Sequence, residues 1–267
     1  MYLSNSDRAS GRCQMINRDI AATLAKGLDA LACFEQRGGT LTMPELGELS
    51  GFDRATTRRL CLTLEHCGYL ERHGKGYRLA PRVLSLAGGY LHQIEAGRKV
   101  QPLLRHAAET LDLEVALATR DRMQAVYVDR AAPASARVTL GLSVGSTLPL
   151  LHTAVGRMLL ARSAPETVQQ ALEQANNRPH TEASQMDPDA LRAAIQTARD
   201  QGYCLARNEF ETGAAGVAVP VGALDDTPFV LGVTASVNRF DDSTTLDRVL
   251  DVLRHTAISV GRISADA

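Results

Sequence analysis

The sequence predicts an α+β chain in two parts: an N-terminal winged helix-turn-helix, joined by a linker helix to a domain with a mainly antiparallel sheet. Three observations carry that expectation. Residues 23–80 read as helix, short helix, helix and a two-stranded hairpin, with a tight Gly-containing turn between the second and third helices. Residues 114–237 interleave β-rich runs with helical ones, partly joined by tight turns, as α+β sheets require. Charge also divides the chain. Residues 1–90 carry 12 Lys and Arg against 9 Asp and Glu, and residues 91–267 carry 17 against 21.

Residues 1–20 are polar and read as a mobile tail without the apolar stretch of a signal peptide. From Ala21, Leu24, Leu28, Leu31 and Phe34 recur at three- and four-residue spacing until Gly38 and Gly39 stop the helix. Pro44 sits in the first turn of a short helix, "PELGELSG", with Leu46 and Leu49 inward and Gly51 ending it. Asp53 is placed to cap the third helix. On a helical wheel, Thr57, Leu60, Cys61 and Leu64 cluster on one side and Arg58, Arg59 and His66 on the other, with Arg54 at the flank. Gly68 stops this helix, and "YLERHGKGYRLA" forms a hairpin around Gly74-Lys75-Gly76. Both Cys61 and Cys67 are expected in the core.

Between residues 51 and 82, seven basic residues face three acidic ones. Arginines near the start of a leucine-backed third helix suit phosphate contacts and two-pronged recognition of guanine. The expected DNA contacts are Arg54, Thr56, Thr57, Arg58 and Arg59 from the recognition helix, His73 and Lys75 from the wing, and Lys26 from the first helix. One winged helix reads few base pairs, so two half-sites about 34 Å apart, or a multiple of that, would match a two-fold dimer.

The stretch "AKGL", then "LTMPELGELSGFDRATTRRL", "GYLER" and "YRLAPRVLSL" resembles the winged helix-turn-helix of the IclR family of bacterial transcription regulators. Downstream, "VGSTLPLLHTAVGRMLLA", "DQGYCLARNEFETGAAGVAVPV" and "FVLGVTASVNRF" resemble that family's effector-binding domain. The resemblance implies a GAF-like sensor fold, double-stranded DNA and a small organic acid as partners, and a homodimer or a dimer of dimers. The domains expected are a tail at 1–20, a DNA-binding domain at 21–80, a linker helix at 81–98 broken near Gly88-Gly89, and a GAF-like domain at 99–267. Many family members carry acidic residues where this chain has Ala206-Arg207, and a cysteine where it has Gly216.

In the second half the residues predict a helix in "QPLLRHAAETLD", strands in "EVALATR", "QAVYVDR" and "RVTLGLS", and a hairpin around Asp121-Arg122. Helices follow near 152–162, 165–174 and 187–200, strands at 203–207, 214–221 and 229–237, and a final amphipathic helix. "TLPLLHTAVGRM" puts a helix start at His152-Thr153, where backbone N–H groups could seat a carboxylate beside the small Ala154 and Gly156. Ordinary capping by Thr153 without a ligand is the other reading. The Gly-Ala-rich strand from Gly213 leaves room beside the sheet, and Thr234 and Ser236 lie on one face of the facing strand. Arg207 either attracts an anionic effector or pairs with Glu209 at the surface. The expected effector-binding residues are Leu140, Leu142, Leu148, Thr153, Ala154, Val155, Arg207, Ala214, Gly216, Thr234 and Ser236. Small aromatic or short aliphatic carboxylates lead the candidate effectors.

The five scattered cysteines include no CxxC pair and no histidine partner at zinc spacing, which fits a reducing cytoplasm and no metal site. No run of about 18 apolar residues could span a membrane. His152 has no Ser or Cys nucleophile in a recognisable elbow and no carboxylate pair placed for acid–base work, so it reads as a capping or core histidine. No Walker pattern follows the paired glycines. The expectation is a regulator without cofactor or catalytic residues. The alternative is an enzyme acting on a small molecule with an appended autoregulatory helix-turn-helix.

Overall fold

The structure, a computed structural model, describes residues 20–37, 39–94, 96–135, 142–174, 178–222 and 229–265. The chain divides into two compact units, the first ending at Tyr90 and the second beginning at Leu91.

The first unit contains α1 (Ala22–Arg37), α2 (Met43–Ser50), α3 (Arg54–His66), β1 (Leu70–His73) and β2 (Gly76–Leu79). The strands form an antiparallel hairpin in the register Leu70 to Leu79 and His73 to Gly76, and Leu41 bridges to Tyr77 on the other side. Capping fixes both short helices. Thr42 and Glu45 make a reciprocal capping box on α2, and Asp53 accepts the Thr56 N–H at the start of α3. The core joins Ala30, Cys33 and Phe34 of α1 to Leu46, Leu60, Cys61, Leu70 and Tyr77. Two apolar residues of the expected α1 stripe lie outside it: Leu24 is 64% and Leu28 57% exposed. Cys67 is also exposed, at the cap where α3 ends.

Helix α4 (Arg82–Gln93) runs straight through Gly88 and Gly89, where the sequence predicts a break. Each glycine lowers helix stability by roughly 1 kcal/mol relative to alanine, a cost that permits a stop without forcing one.

In the second unit a π-helical turn (Ala96–Val100) leads into α5 (Gln101–Leu111). Strands β3 (Val115–Asp121), β4 (Gln124–Ala131) and β5 (Thr147–Pro149) follow, then α6 (Ala154–Ala161), α7 (Pro165–Gln174) and α8 (Pro188–Gln201). The unit finishes with β6 (Cys204–Arg207), β7 (Ala214–Pro220), β8 (Phe229–Ser236), a 3-10 turn (Val237–Phe240) and α9 (Ser243–Ala265). The strands form one sheet in the order β5-β4-β3-β8-β7-β6, with every pair antiparallel. The predicted turn at Asp121-Arg122 joins β3 to β4, with Arg122 at φ 51°. Most of the strand expected in "RVTLGLS" lies outside the described residues, and Leu142 and Ser143 are not extended into the sheet. The short β5 went unpredicted because three residues carry no readable alternation.

Alternation along the strands gives the sheet two unlike faces. Val115, Leu117, Val217, Val219, Leu231 and Val233 pack with Leu104, Ala108, Leu250 and Leu253 of α5 and α9. The opposite face carries Ala116, Ala118, Ala218 and Gly232, and small residues there let α6 come close. A Cβ on Gly232 would lie 2.5 Å from Val155 Cγ2. No described helix is long and apolar enough to cross a membrane.

Candidate functional site

In the first unit, Arg54, Arg58 and Arg59 are all exposed on α3, over the buried Leu60 and Cys61. The three do not share one face. Arg54 borders a groove with Met43 and Pro44 of α2 and with Arg72, Lys75 and Tyr77 of the hairpin. Arg59, with Thr56 and Lys26, borders a second, apolar groove lined by Leu24, Leu28, Leu31, Leu64 and Leu86. Arg58 is exposed between them, as the 100° step of a helix requires.

Thr57, expected to touch DNA, is 2% exposed, and its hydroxyl donates to the Asp53 carbonyl at 2.9 Å. The same helical step that exposes Arg58 turns Thr57 into the core. Thr56 is half-buried as a residue, and its hydroxyl donates to the Asp53 carboxylate at 2.7 Å, completing the cap. Those bonds hold the Asp53 carboxyl below its ordinary value. His73 and Lys75 are exposed on the hairpin, and the Lys26 ammonium lies 5.8 Å from the centre of the Phe52 ring. Arg72 was not singled out from the sequence. Its guanidinium is engaged by Glu65 at 3.3 Å and lies 5.2 Å from the centre of the Tyr77 ring.

In the second unit, the sheet face under α6 holds a cavity with about 510 Å³ of unfilled space, mouth included. Leu142, Leu148, Thr153, Ala154, Val155, Ala214, Gly216 and Thr234 line it. The β7–β8 register sets Gly216 opposite Thr234 and Ala214 opposite Ser236. Leu140 lies outside the described residues. Ser236 lines an adjoining open cleft with about 960 Å³ of unfilled space, solvent-filled mouth included, together with Asp112, Glu114, Ser135 and Arg239. The two cavities share Tyr127, Leu142 and Thr234.

Arg207 is not part of the lining. Its guanidinium donates to the Val237 carbonyl and to Asp241, each at 3.0 Å, and to the Phe240 carbonyl at 2.5 Å. Period-two alternation decides this. Ala206 pairs with Gly216 and shares its face, whereas Arg207 pairs with Ala215 and points to the other side. The surface pair with Glu209 does not form either. Glu209 is taken by Arg157 of α6, only 4% exposed, whose other nitrogens grip both carboxylate oxygens while Nε donates to the Leu151 carbonyl at 2.7 Å. Glu209 also accepts the Gln185 N–H at 3.1 Å, and its carbonyl accepts the Ser184 hydroxyl at 2.6 Å. The loop carrying Glu209, Phe210 and Glu211 is thereby fastened to α6 at the edge of the cavity. Nothing in the local sequence marks Arg157 as the partner of a residue 52 positions away.

The start of α6 opens on the cavity. The Thr153 hydroxyl accepts the Gly156 N–H at 3.0 Å and donates to the Pro149 carbonyl at 2.8 Å. The cap leaves the N–H groups of Ala154 and Val155, which have no intrahelical acceptor, at the positive end of the helix. Thr153 therefore caps the helix as expected of an ordinary capping residue, without filling the space in front of it. The lining includes two carboxylates, Glu209, neutralised by Arg157, and Glu211, exposed at the rim, but no lysine or arginine among the described residues.

His152 is 3% exposed in the lining, and its ring centre lies 5.3 Å from that of His180, which in turn sits 5.2 Å from Phe210. Burial, and then the neighbouring His152, hold the His180 pKa below its usual value. Tyr127, unmarked in the sequence, is 5% exposed, and its phenol is pushed up to about 12, first by burial and then by the Glu114 charge. Arg130 and a hydrogen bond from Thr234 act in the opposite direction. No cluster of described His, Cys, Asp or Glu could hold a metal ion.

Residues 23–74 match the IclR helix-turn-helix domain model, and residues 88–262 match the model for the bacterial transcriptional regulator IclR C-terminal domain. The chain is 32% identical over 236 residues to the Pca regulon regulatory protein of Pseudomonas putida, covering 88% of this chain and 81% of that protein. An IclR family transcriptional regulator from Brucella abortus superposes with a TM-score of 0.75 at 28% identity, covering 92% of this chain and 93% of that one. An IclR homolog from Microbacterium hydrocarbonoxydans, in complex with 4-hydroxybenzoate, superposes with a TM-score of 0.76 at 22% identity, covering 92% and 100%.

Proposed function

The chain belongs to the IclR family of bacterial transcriptional regulators, which join a DNA-binding helix-turn-helix to an effector-binding domain, and we propose that this member senses an aromatic carboxylic acid. In this reading residues 21–80 bind DNA, 81–98 link, and 99–267 sense, all in the cytoplasm. Arg54, Arg58 and Arg59 meet phosphates and base edges from α3, while His73, Lys75 and Lys26 flank them. The observation that carries the DNA contacts is the exposure of these arginines on a helix whose start is fixed by Asp53 and whose back is buried.

For the effector, the support is an apolar cavity that ends at the N–H groups of Ala154 and Val155, where a carboxylate is favoured by the helix field. The Microbacterium homologue, of the same fold, was solved with an aromatic acid of this kind. The acid meets backbone N–H groups rather than a cationic side chain. Leu24, Leu28, Leu84 and Leu86 stand 57–72% exposed in the first unit, and a second copy of the chain is the partner that would cover them. Effector occupancy then shifts the dimer between forms that match the operator and forms that do not.

The experiment is fluorescence anisotropy of the full-length protein on its own promoter at several salt concentrations. Arg58→Ala should weaken specific binding at least about tenfold and make the affinity less dependent on salt. An unchanged operator affinity in the folded variant would remove Arg58 from the interface.

A further inference from the structure

An acidic side chain of α3 joins the recognition helix to the hairpin. Glu65 follows Arg58 by two turns, about 20° away at 100° per residue, so both fall on one stripe of the helix. A carboxylate on a stripe that faces a polyanion repels phosphate unless a cation compensates it. The hairpin supplies that cation. Arg72 and Tyr77 are paired directly across β1 and β2 and share one face of the hairpin. Arg72 Nε donates to Glu65 Oε1 at 3.3 Å, and the Tyr77 hydroxyl donates to Oε2 at 3.4 Å, so each strand holds one carboxylate oxygen. Burial, and then the Glu65 charge, hold the Tyr77 phenol above its ordinary value, and it keeps the proton it donates. At the edge of the hairpin, Leu41 and Tyr77 exchange backbone hydrogen bonds of 2.9 and 2.8 Å. A Cβ on Gly76 would lie 2.6 Å from the Leu41 carbonyl oxygen. The hairpin is thus held by Leu41 at its edge and by Glu65 at its face, one residue pair before the tip that carries His73 and Lys75.

We propose that Glu65 is a positioning residue for DNA binding. It sets the angle of the wing against α3, so that Lys75 and His73 meet the backbone while Arg58 reaches base edges. This rests on the DNA-binding reading above and adds to it a residue that acts through the wing rather than on DNA. The sign of its effect separates two roles. A carboxylate that merely faces DNA weakens binding, and its removal tightens the complex. A carboxylate that holds the wing does the opposite.

The test is fluorescence anisotropy of the full-length protein on its own promoter over a range of salt concentrations. Glu65→Ala should bind about fivefold more weakly although it removes a negative charge, and the slope of log affinity against log salt should fall by about one. Tyr77→Phe, which deletes a donor and leaves every charge in place, should shift affinity in the same direction. Lys75→Ala should weaken the wild type and change the Glu65→Ala variant little, because the wing carrying it is already displaced. A scaffold weakened throughout would instead give losses that add. Tighter binding by Glu65→Ala, or additive losses in the double variant, overturns the positioning role and leaves the DNA-binding reading standing. Should Glu65→Ala fail to fold, the Tyr77→Phe and Lys75→Ala pair decides, and additive losses there overturn the role equally. A wild type that ignores its promoter at low salt overturns both.

Discussion

Replacing Arg157 by methionine would leave the Glu209 carboxylate, its side chain 12% exposed, without its guanidinium and holding the Gln185 N–H. The Arg157 side chain is 5% exposed, so water screens the pair little. Breaking a buried ion pair from one side costs about 3–5 kcal/mol, because the remaining charge stays buried without its counterion. For a unit of this size, each kcal/mol lowers Tm by about 2–4 °C, so the second unit should melt about 10 °C lower. Differential scanning calorimetry reads this directly, with the transition of the first unit as an internal reference. Adding Glu209→Gln removes the stranded charge, so the double variant should recover part of the loss. A loss below about 1 kcal/mol in the single variant, or a double variant as unstable as the sum of its parts, would refute the reasoning. The loop carrying Phe210 should loosen as well, and effector affinity should fall in the same variant.

Two further outcomes follow from the geometry. Arg207→Ala should leave effector affinity within about twofold of the wild type, since the guanidinium is held by Val237, Phe240 and Asp241 outside the cavity; a loss beyond fivefold in calorimetry would return Arg207 to the site. Asp53→Ala should lower the Tm of the first unit at neutral pH. The folded carboxyl titrates below its ordinary value near 3.8, so its contribution is complete above that pH and lost as pH falls through the folded value. The gap between the melting curves of wild type and variant should therefore be full at pH 7 and narrow as the pH is taken progressively below 3.8.

Local chemistry explains which elements could be read in advance. Asp53 caps α3 because a short acceptor precedes a helical run, and Arg122 turns the β3–β4 hairpin beside its aspartate. The Thr42–Glu45 box is equally local, a Thr-x-x-Glu pattern with Pro44 inside it. Periodicity in α1 predicts the helix, but an apolar stripe does not say which molecule covers it, and Leu24 and Leu28 lie outside the core. Cys67, expected in the core as a small apolar residue, is exposed instead, at the cap where α3 ends.

What the sequence by itself determined is therefore most of the elements, their order and the family, since these depend largely on residues within a few positions of one another; β5 and the unbroken α4 escaped it. Tertiary structure alone decided which side chains meet. Ala206 rather than Arg207 lines the cavity because one step along β6 reverses the face, and only pairing with β7 sets that step. Arg157 finds Glu209, and Tyr127 finds Thr234, across 52 and 107 positions, through sheet register and the close seating of α6 on alanine and glycine. Contacts at such separations are products of packing, and no local pattern in the chain encodes them.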